Sequence, residues 1–196
     1  MTIVLPAARS SAEARLYVEL QPCDCGEARF APQVEVVALA DGDLATRYHG
    51  TCPSCGAERE FLMRLPAEPG PATGSSYGGF SYGGPEPSQL IDPGQWLAAA
   101  DRYADLVPAD SAVLDPAQLR RATAALSRAV AALDEVRKFI PADADQVPVD
   151  AFTSDTGRRL HRREPDRFRR DRLTALRDTY AGLLHGDDTS NDRVDT

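Results

Sequence analysis

Two pairs of cysteines constrain this chain more than any other feature of its sequence. The first pair lies in the stretch CDCG, Cys23 to Gly26, and the second lies in TCPSCG, Thr51 to Gly56. A glycine follows each pair directly, and glycine permits a tight turn in which backbone N–H groups approach sulfur. Because these four cysteines are all that the chain contains, the pattern predicts that they act together.

The residues between the two pairs predict that the pairs meet. Between Cys25 and Cys52 lie 26 residues, with Asp41-Gly42 near their middle. Asp-Gly between two strand-like runs is typical of a tight hairpin turn. A hairpin of this length returns Cys52 close to Cys25, so we expect the four sulfurs to converge.

Four converging thiolates suit a tetrahedral zinc ion, which predicts Cys23, Cys25, Cys52 and Cys55 as ligands. Iron in the same sulfur cage is an alternative, as are disulfides or thiol redox chemistry at the C-x-x-C motif. The single residue between Cys23 and Cys25 requires a less regular turn. His49, three residues before Cys52, is a further possible ligand. With sulfur at all four corners, the expected role of zinc is structural, because a catalytic zinc keeps an open position.

CDCG and CPSCG, flanking a hairpin, resemble the paired cysteine turns of the zinc-ribbon group and of small bacterial modules of the CpXC type. The resemblance covers residues 14–66. It implies the same four cysteine ligands in a small β-rich module.

The chain is predicted to be α+β, with a small antiparallel zinc-ribbon-like β module over residues 1–66. Ala14 to Gln21 alternate apolar and polar residues, which favours a strand. Further strands are predicted on both sides of Asp41-Gly42 and from Glu58 to Pro66. The module therefore reads as about four short strands.

Residues 67–91 are rich in glycine, proline and tyrosine, which predicts a linker. It contains SYGGF followed by SYGGP. The segment is either a flexible spacer or an aromatic loop that contacts a partner. Together with the first helix, the second reading predicts Tyr77, Phe80, Tyr82 and Trp96 as partner-binding residues.

Residues 92–186 predict a bundle of three or four helices, followed by a disordered acidic tail at 187–196. Asp92-Pro93 and Asp115-Pro116 are helix starts, because aspartate caps free N–H groups and proline fits the first turn. A helix is expected from Pro93 to Val107. A longer one, from Pro116 to Ile140, carries a continuous apolar stripe.

The net charge of -8 includes one basic segment, from Arg158 to Leu173. Its arginines match phosphate geometry, although acidic residues interrupt them. A nucleic-acid-associated zinc-ribbon regulator is therefore the alternative function. The possible phosphate-binding residues are Arg162, Arg163, Arg167, Arg169 and Arg170.

The sequence contains no P-loop, dinucleotide fingerprint, HExxH or G-x-S-x-G motif, and it indicates no catalytic residues. It shows neither a signal peptide nor an apolar run of membrane-spanning length, so we expect a cytoplasmic protein. The function expected first is a non-catalytic zinc-binding adaptor or regulatory protein that binds another protein.

Overall fold

The computed structural model describes residues 5–65, 80–108 and 114–186. Within them it has a three-stranded antiparallel sheet and five α-helices, which confirms the α+β class. The elements in chain order are α1 (Ser11–Glu19), β1 (Gln33–Ala38), β2 (Leu44–Thr51), β3 (Glu58–Arg64), α2 (Pro93–Ala104), α3 (Pro116–Arg137), α4 (Asp155–Arg163) and α5 (Arg170–Gly186).

The sheet is a meander in the order β1-β2-β3. Val36 pairs with Thr46 across the first hairpin, and Thr51 pairs with Glu58 at the end of the second. Gly42, in the predicted turn, has φ +90°, a conformation that glycine adopts without strain. The predicted Asp-Gly hairpin is therefore confirmed.

The predicted strand from Ala14 to Gln21 is wrong, because this segment lies in α1 and the sheet has three strands. The side chain of Ser10 accepts a hydrogen bond from the Glu13 N–H, and the Glu13 carboxylate accepts one from the Arg9 N–H. This arrangement resembles a capping box and starts a helix. The local start signal therefore outweighs the alternation of apolar residues that favoured a strand.

An aromatic cluster joins α1 to the sheet. The ring of Tyr17 meets that of Phe61 edge to face at 6.3 Å between centroids, and Phe30 lies 6.1 Å from Phe61. Met63, two residues after Phe61 and on the same face of β3, is 1% exposed. These contacts form a small core for a region that would otherwise bury little apolar surface.

The chain divides into two compact units. Over the described residues, the first contains 5–65, 82–84 and 88–91, so parts of the predicted linker belong to it. The second contains 80–81, 85–87, 92–108 and 114–186. Each unit is described by itself below.

In the second unit, α3 packs against α2 and α5, and α2 also packs against α4. The apolar stripe predicted on α3 is buried from Ala122 to Val136, and Ile140 is buried just beyond the helix. α2 ends at Ala104 rather than Val107. A 3₁₀ turn, Pro165–Phe168, precedes α5, which starts at Arg170.

One carboxylate organises the start of two helices. Asp92 accepts a hydrogen bond from the Gln95 N–H at the start of α2, and a second from the Ser154 N–H at the start of α4. Gly94 and Gly157 lie so close that a Cβ on Gly94 would overlap with the backbone of Gly157. The two helices approach this closely because both positions lack a side chain.

Candidate metal centre

The four cysteines lie on two turns at one end of the sheet. The first cysteine turn, Cys23 to Glu27, follows α1, and the second, Cys52 to Ala57, joins β2 to β3. The start of β1 pairs with the end of β2, where Gln33 is opposite His49. The hairpin therefore returns the chain to the first turn, as the sequence predicts.

The two cysteine turns close in the same way despite their different lengths. The Cys23 N–H donates to the Glu27 carbonyl at 2.9 Å, and the Cys52 N–H donates to the Ala57 carbonyl at 2.8 Å. In each turn the glycine N–H donates back to the carbonyl of the first cysteine, at 2.7 Å from Gly26 and 2.9 Å from Gly56. CDCG has one residue fewer between its cysteines than CPSC, and its turn is correspondingly tighter.

Both glycines have a left-handed backbone, with φ +87° at Gly26 and +75° at Gly56. A residue with a side chain adopts this conformation at a cost of about 1–2 kcal/mol. The glycine after each cysteine pair is therefore required by the backbone of the turn.

The sulfur positions fit a tetrahedral ion. Ligand atoms of the four cysteines all lie within 4.8 Å of one another. The Cys23 and Cys55 Sγ atoms are 3.7 Å apart, and so are those of Cys25 and Cys52. A zinc ion about 2.3 Å from each of four tetrahedral sulfurs places them about 3.8 Å apart. All four cysteines are free thiols, and these distances far exceed the roughly 2.05 Å of a disulfide.

The second turn favours negative charge at Cys52. Backbone N–H groups of Cys55 and then Ser54 donate to its sulfur, and the pKa of Cys52 falls to about 6 despite some desolvation. At Cys55 the Ala57 N–H lowers the pKa, but the neighbouring cysteines together raise it to about 12. Backbone N–H groups thus stabilise the Cys52 thiolate, whereas the neighbouring sulfurs disfavour ionisation of Cys55. A divalent cation among them removes that opposition, since a coordinated thiol is deprotonated.

Arg59 on β3 connects the segments that carry the two turns, and sequence reasoning missed it. It is 8% exposed, and its Nη2 donates to the carbonyl of Gln21, two residues before Cys23. The guanidinium carbon lies 4.2 Å from the ring centroid of Phe30. No motif marks this arginine, because its role depends on an aromatic residue far away in sequence.

His49 is not part of the sulfur cluster. Among the residues that the structure describes, the group with metal-binding geometry contains the four cysteines alone. The Nε2 atom of His49 lies 3.6 Å from a carboxylate oxygen of Glu35 on β1. The cross-strand contact with Glu35 accounts for this histidine.

The aromatic residues predicted to bind a partner differ in how far they are exposed. Trp96 and Tyr82 are 0% and 2% exposed, so their side chains lie in the interior. Phe80 is half-buried, and the guanidinium of Arg128 lies 5.7 Å from its ring centroid. Tyr77 lies outside the described residues.

Most of the predicted phosphate-binding arginines in the basic segment make contacts within the fold. Arg167 forms an ion pair with Asp101 of α2 at 2.7 Å, which raises the pKa of Arg167. Arg170 donates to the carbonyls of Pro141 and Ala144. The remaining predicted residues are exposed; Arg163 pairs with Glu164, Arg169 pairs with Asp171, and Arg162 makes no hydrogen bond or ion pair to a described residue.

Models of known families, curated proteins and solved structures give no match to this chain. None of the described helices combines the length with the apolar character that a membrane span requires.

Proposed function

We propose that this chain is a non-catalytic zinc-binding adaptor or regulatory protein, in which a zinc-ribbon-like β module presents a strand edge to another protein. The observation that carries the proposal is the open outer edge of β1, in a sheet whose end is held by the sulfur cluster. Zinc is the ion that best suits four thiolates at these separations. With sulfur at every corner, the ion has no open position for water or substrate.

β1 is an edge strand with apolar side chains in water. Val34 is 53% exposed and Val36 is 62% exposed. They share one face of the sheet with Leu44, which is opposite Ala38 and is 50% exposed. An extended segment of a partner can add to such an edge, with its backbone pairing and its side chains covering the valines.

The other edge of the sheet differs. The Ala8 N–H donates to the Arg64 carbonyl of β3, and the Arg64 N–H donates to the carbonyl of Pro6. The outer edge of β1 has no such backbone hydrogen bond to any described residue. The protection of one edge and not the other supports β1 as the docking strand.

A photo-crosslinking amino acid placed at Val34 tests this proposal in the host cell. We expect it to capture a defined protein, and we expect Val36→Asp to abolish that capture while the zinc content is unchanged. The matched control places the same crosslinker at Ala175, an exposed position on α5. Equal capture at both positions, or capture that survives Val36→Asp, would contradict the proposal.

The alternative, a nucleic-acid-associated regulator, draws on the exposed face of α4. That face carries Arg158, Arg159, Arg162 and Arg163. Because Arg167 and Arg170 make contacts within the fold, the test belongs on Arg162 and Arg163. Retention on heparin that falls steeply with salt, and is lost on replacing these two residues with alanine, would support it over the adaptor.

A further inference from the structure

A groove on the second unit has the features of a binding site for an anion. It has a volume of about 660 Å³ and is open to solvent. The floor includes Ala117, Ala124 and Ala125 of α3, with Leu106 at the side, beyond the end of α2. Three arginines of α3 complete the lining: Arg120, Arg121 and Arg128.

The three arginines are not neutralised by the part of the chain that the structure describes. All three are exposed, and none forms an ion pair with a described acidic residue. Other arginines of the chain do so; Arg47 pairs with two glutamates and Arg167 with an aspartate. In a chain of net charge -8, three guanidinium groups around one groove, none paired with an acidic residue that the structure describes, indicate a negatively charged ligand.

The spacing of the arginines indicates an elongated ligand. The lining residues of α3 recur at steps of three and four, which places them along one stripe of the helix. From Ala117 to Arg128 the stripe is about 16 Å long. Arg121 and Arg128 are two turns apart, about 10 Å along the axis. Several carboxylates spaced along a peptide match this row of arginines.

The apolar residues that line the groove indicate which part of a ligand would lie between the arginines. Alanine side chains let a backbone approach α3 closely, and Leu106 is 64% exposed beside them. Arg128 is held at one end, 5.9 Å from the ring centroid of Tyr103 and 5.7 Å from that of Phe80. The groove therefore offers an aliphatic surface beside positively charged side chains, one of which packs on aromatic rings.

We propose that this groove binds a short acidic segment of a partner protein, with carboxylates on the three arginines and an aliphatic side chain on the alanine floor. The inference deepens the proposed protein-binding function and rests on it, but it uses a different surface. A nucleic acid fits less well, because its bases gain most from stacking on aromatic rings and little from an aliphatic floor.

The test uses the full chain and a fluorescent peptide of about ten residues that alternates glutamate and leucine, long enough to cover the stripe. Binding is followed by anisotropy, and the amide NMR signals of Ala117, Ala124 and Ala125 report the location. We expect Arg121→Glu with Arg128→Glu to weaken binding about tenfold or more. The matched control is Arg162→Glu with Arg172→Glu, two exposed arginines that form no ion pair with a described residue.

A peptide with glutamine in place of glutamate should bind much more weakly, and inorganic phosphate at the same ionic strength should not displace the acidic peptide. The milder pair Arg121→Gln with Arg128→Gln serves if the charge reversal disturbs folding. Absence of binding, equal weakening by the control pair, displacement by phosphate, or tighter binding of oligothymidylate at the same amides would each overturn the inference. Crosslinking at Val34 does not involve α3, so failure of the groove is distinguishable from failure of the proposed function.

Discussion

At the scale of single residues, the glycines that follow the cysteine pairs decide whether the sulfurs can converge. Gly26 and Gly56 both have a left-handed backbone, and a Cβ at either position would meet no atom within 4 Å. A side chain there has room, so the cost of adding one comes from the backbone alone. This isolates the geometry of the turn from the packing around it.

Replacing Gly56 with alanine should therefore lower the free energy of unfolding of the zinc-bound protein by about 1–2 kcal/mol. The affinity for zinc, measured against a chromophoric chelator, should fall at least about fivefold. Gly84→Ala is the control, since its Cβ also meets nothing within 4 Å but its backbone is not left-handed. Equal effects of the two substitutions would show that the turn does not depend on backbone conformation.

Single residues are predicted correctly where residue type and spacing along the chain determine their role. The cysteine pairs, their glycines and Gly42 are all readable in the sequence, because each acts within a few neighbouring residues. Arg59 was not readable, since its partners are a carbonyl and aromatic rings brought together only by folding. The burial of Trp96 likewise depends on which helices cover it.

At the scale of elements, Asp92 and Asp115 begin α2 and α3 with the same motif in different surroundings. Each accepts a hydrogen bond from the third residue of its helix, and each is followed by proline. Asp115 is exposed and caps one helix, whereas Asp92 is 3% exposed and also accepts the Ser154 N–H of α4. The two positions form a natural comparison.

Asp92→Asn should lower the free energy of unfolding by about 2–3 kcal/mol, because the Gln95 and Ser154 N–H groups donate to different carboxylate oxygens. Asparagine replaces one of these oxygens with an NH2 group, which leaves one part-buried N–H donor without its acceptor. Asp115→Asn should cost less than about 0.5 kcal/mol, since asparagine is an equally good cap for a single helix. Urea unfolding of both variants measures the difference. Similar losses in the two would mean that Asp92 does not join the helices.

Gly157→Ala should also destabilise the second unit, by about 2–3 kcal/mol, because a Cβ there would overlap with the Asp92 carboxylate. Gly182→Ala in α5 is the matched control: its Cβ meets open space, and alanine favours a helix over glycine by up to about 1 kcal/mol. Thermal unfolding should therefore move in opposite directions for the two variants. A neutral Gly157→Ala would contradict the close approach of α2 and α4.

The elements show why local signals predict some structure and not the rest. The helix starts at Asp92 and Asp115 are strong local signals, and both are confirmed. The alternating apolar residues of α1 favour a strand, although Ser10 and Glu13 carry the start of a helix. The contact of Gly94 with Gly157 joins residues far apart in sequence, so no local sequence pattern predicts it.

At the scale of the whole molecule, the chain consists of two compact units, and zinc is proposed to bind in one of them. The first unit has a small core, whereas the second buries most of α2 and a long stripe of α3. The chain has one tryptophan, Trp96, which is fully buried in the second unit. Its fluorescence therefore reports on the helices alone.

Removing the metal with a strong chelator should unfold the first unit and spare the second. Zinc contributes on the order of 10–16 kcal/mol in small thiolate sites, more than this sheet gains from its core. We expect rapid hydrogen exchange to appear in β2 and β3 while Trp96 fluorescence is unchanged. A parallel red shift of Trp96, or protection of the strands without metal, would contradict a metal-dependent sheet.

The most direct measurement of the central claim is the metal content of protein purified under anaerobic, reducing conditions. We expect one zinc per chain, replaceable by cobalt to give the absorption of a tetrahedral tetrathiolate site, and lost in Cys25→Ser with Cys52→Ser. A folded chain with four titratable thiols and no bound metal would contradict the claim.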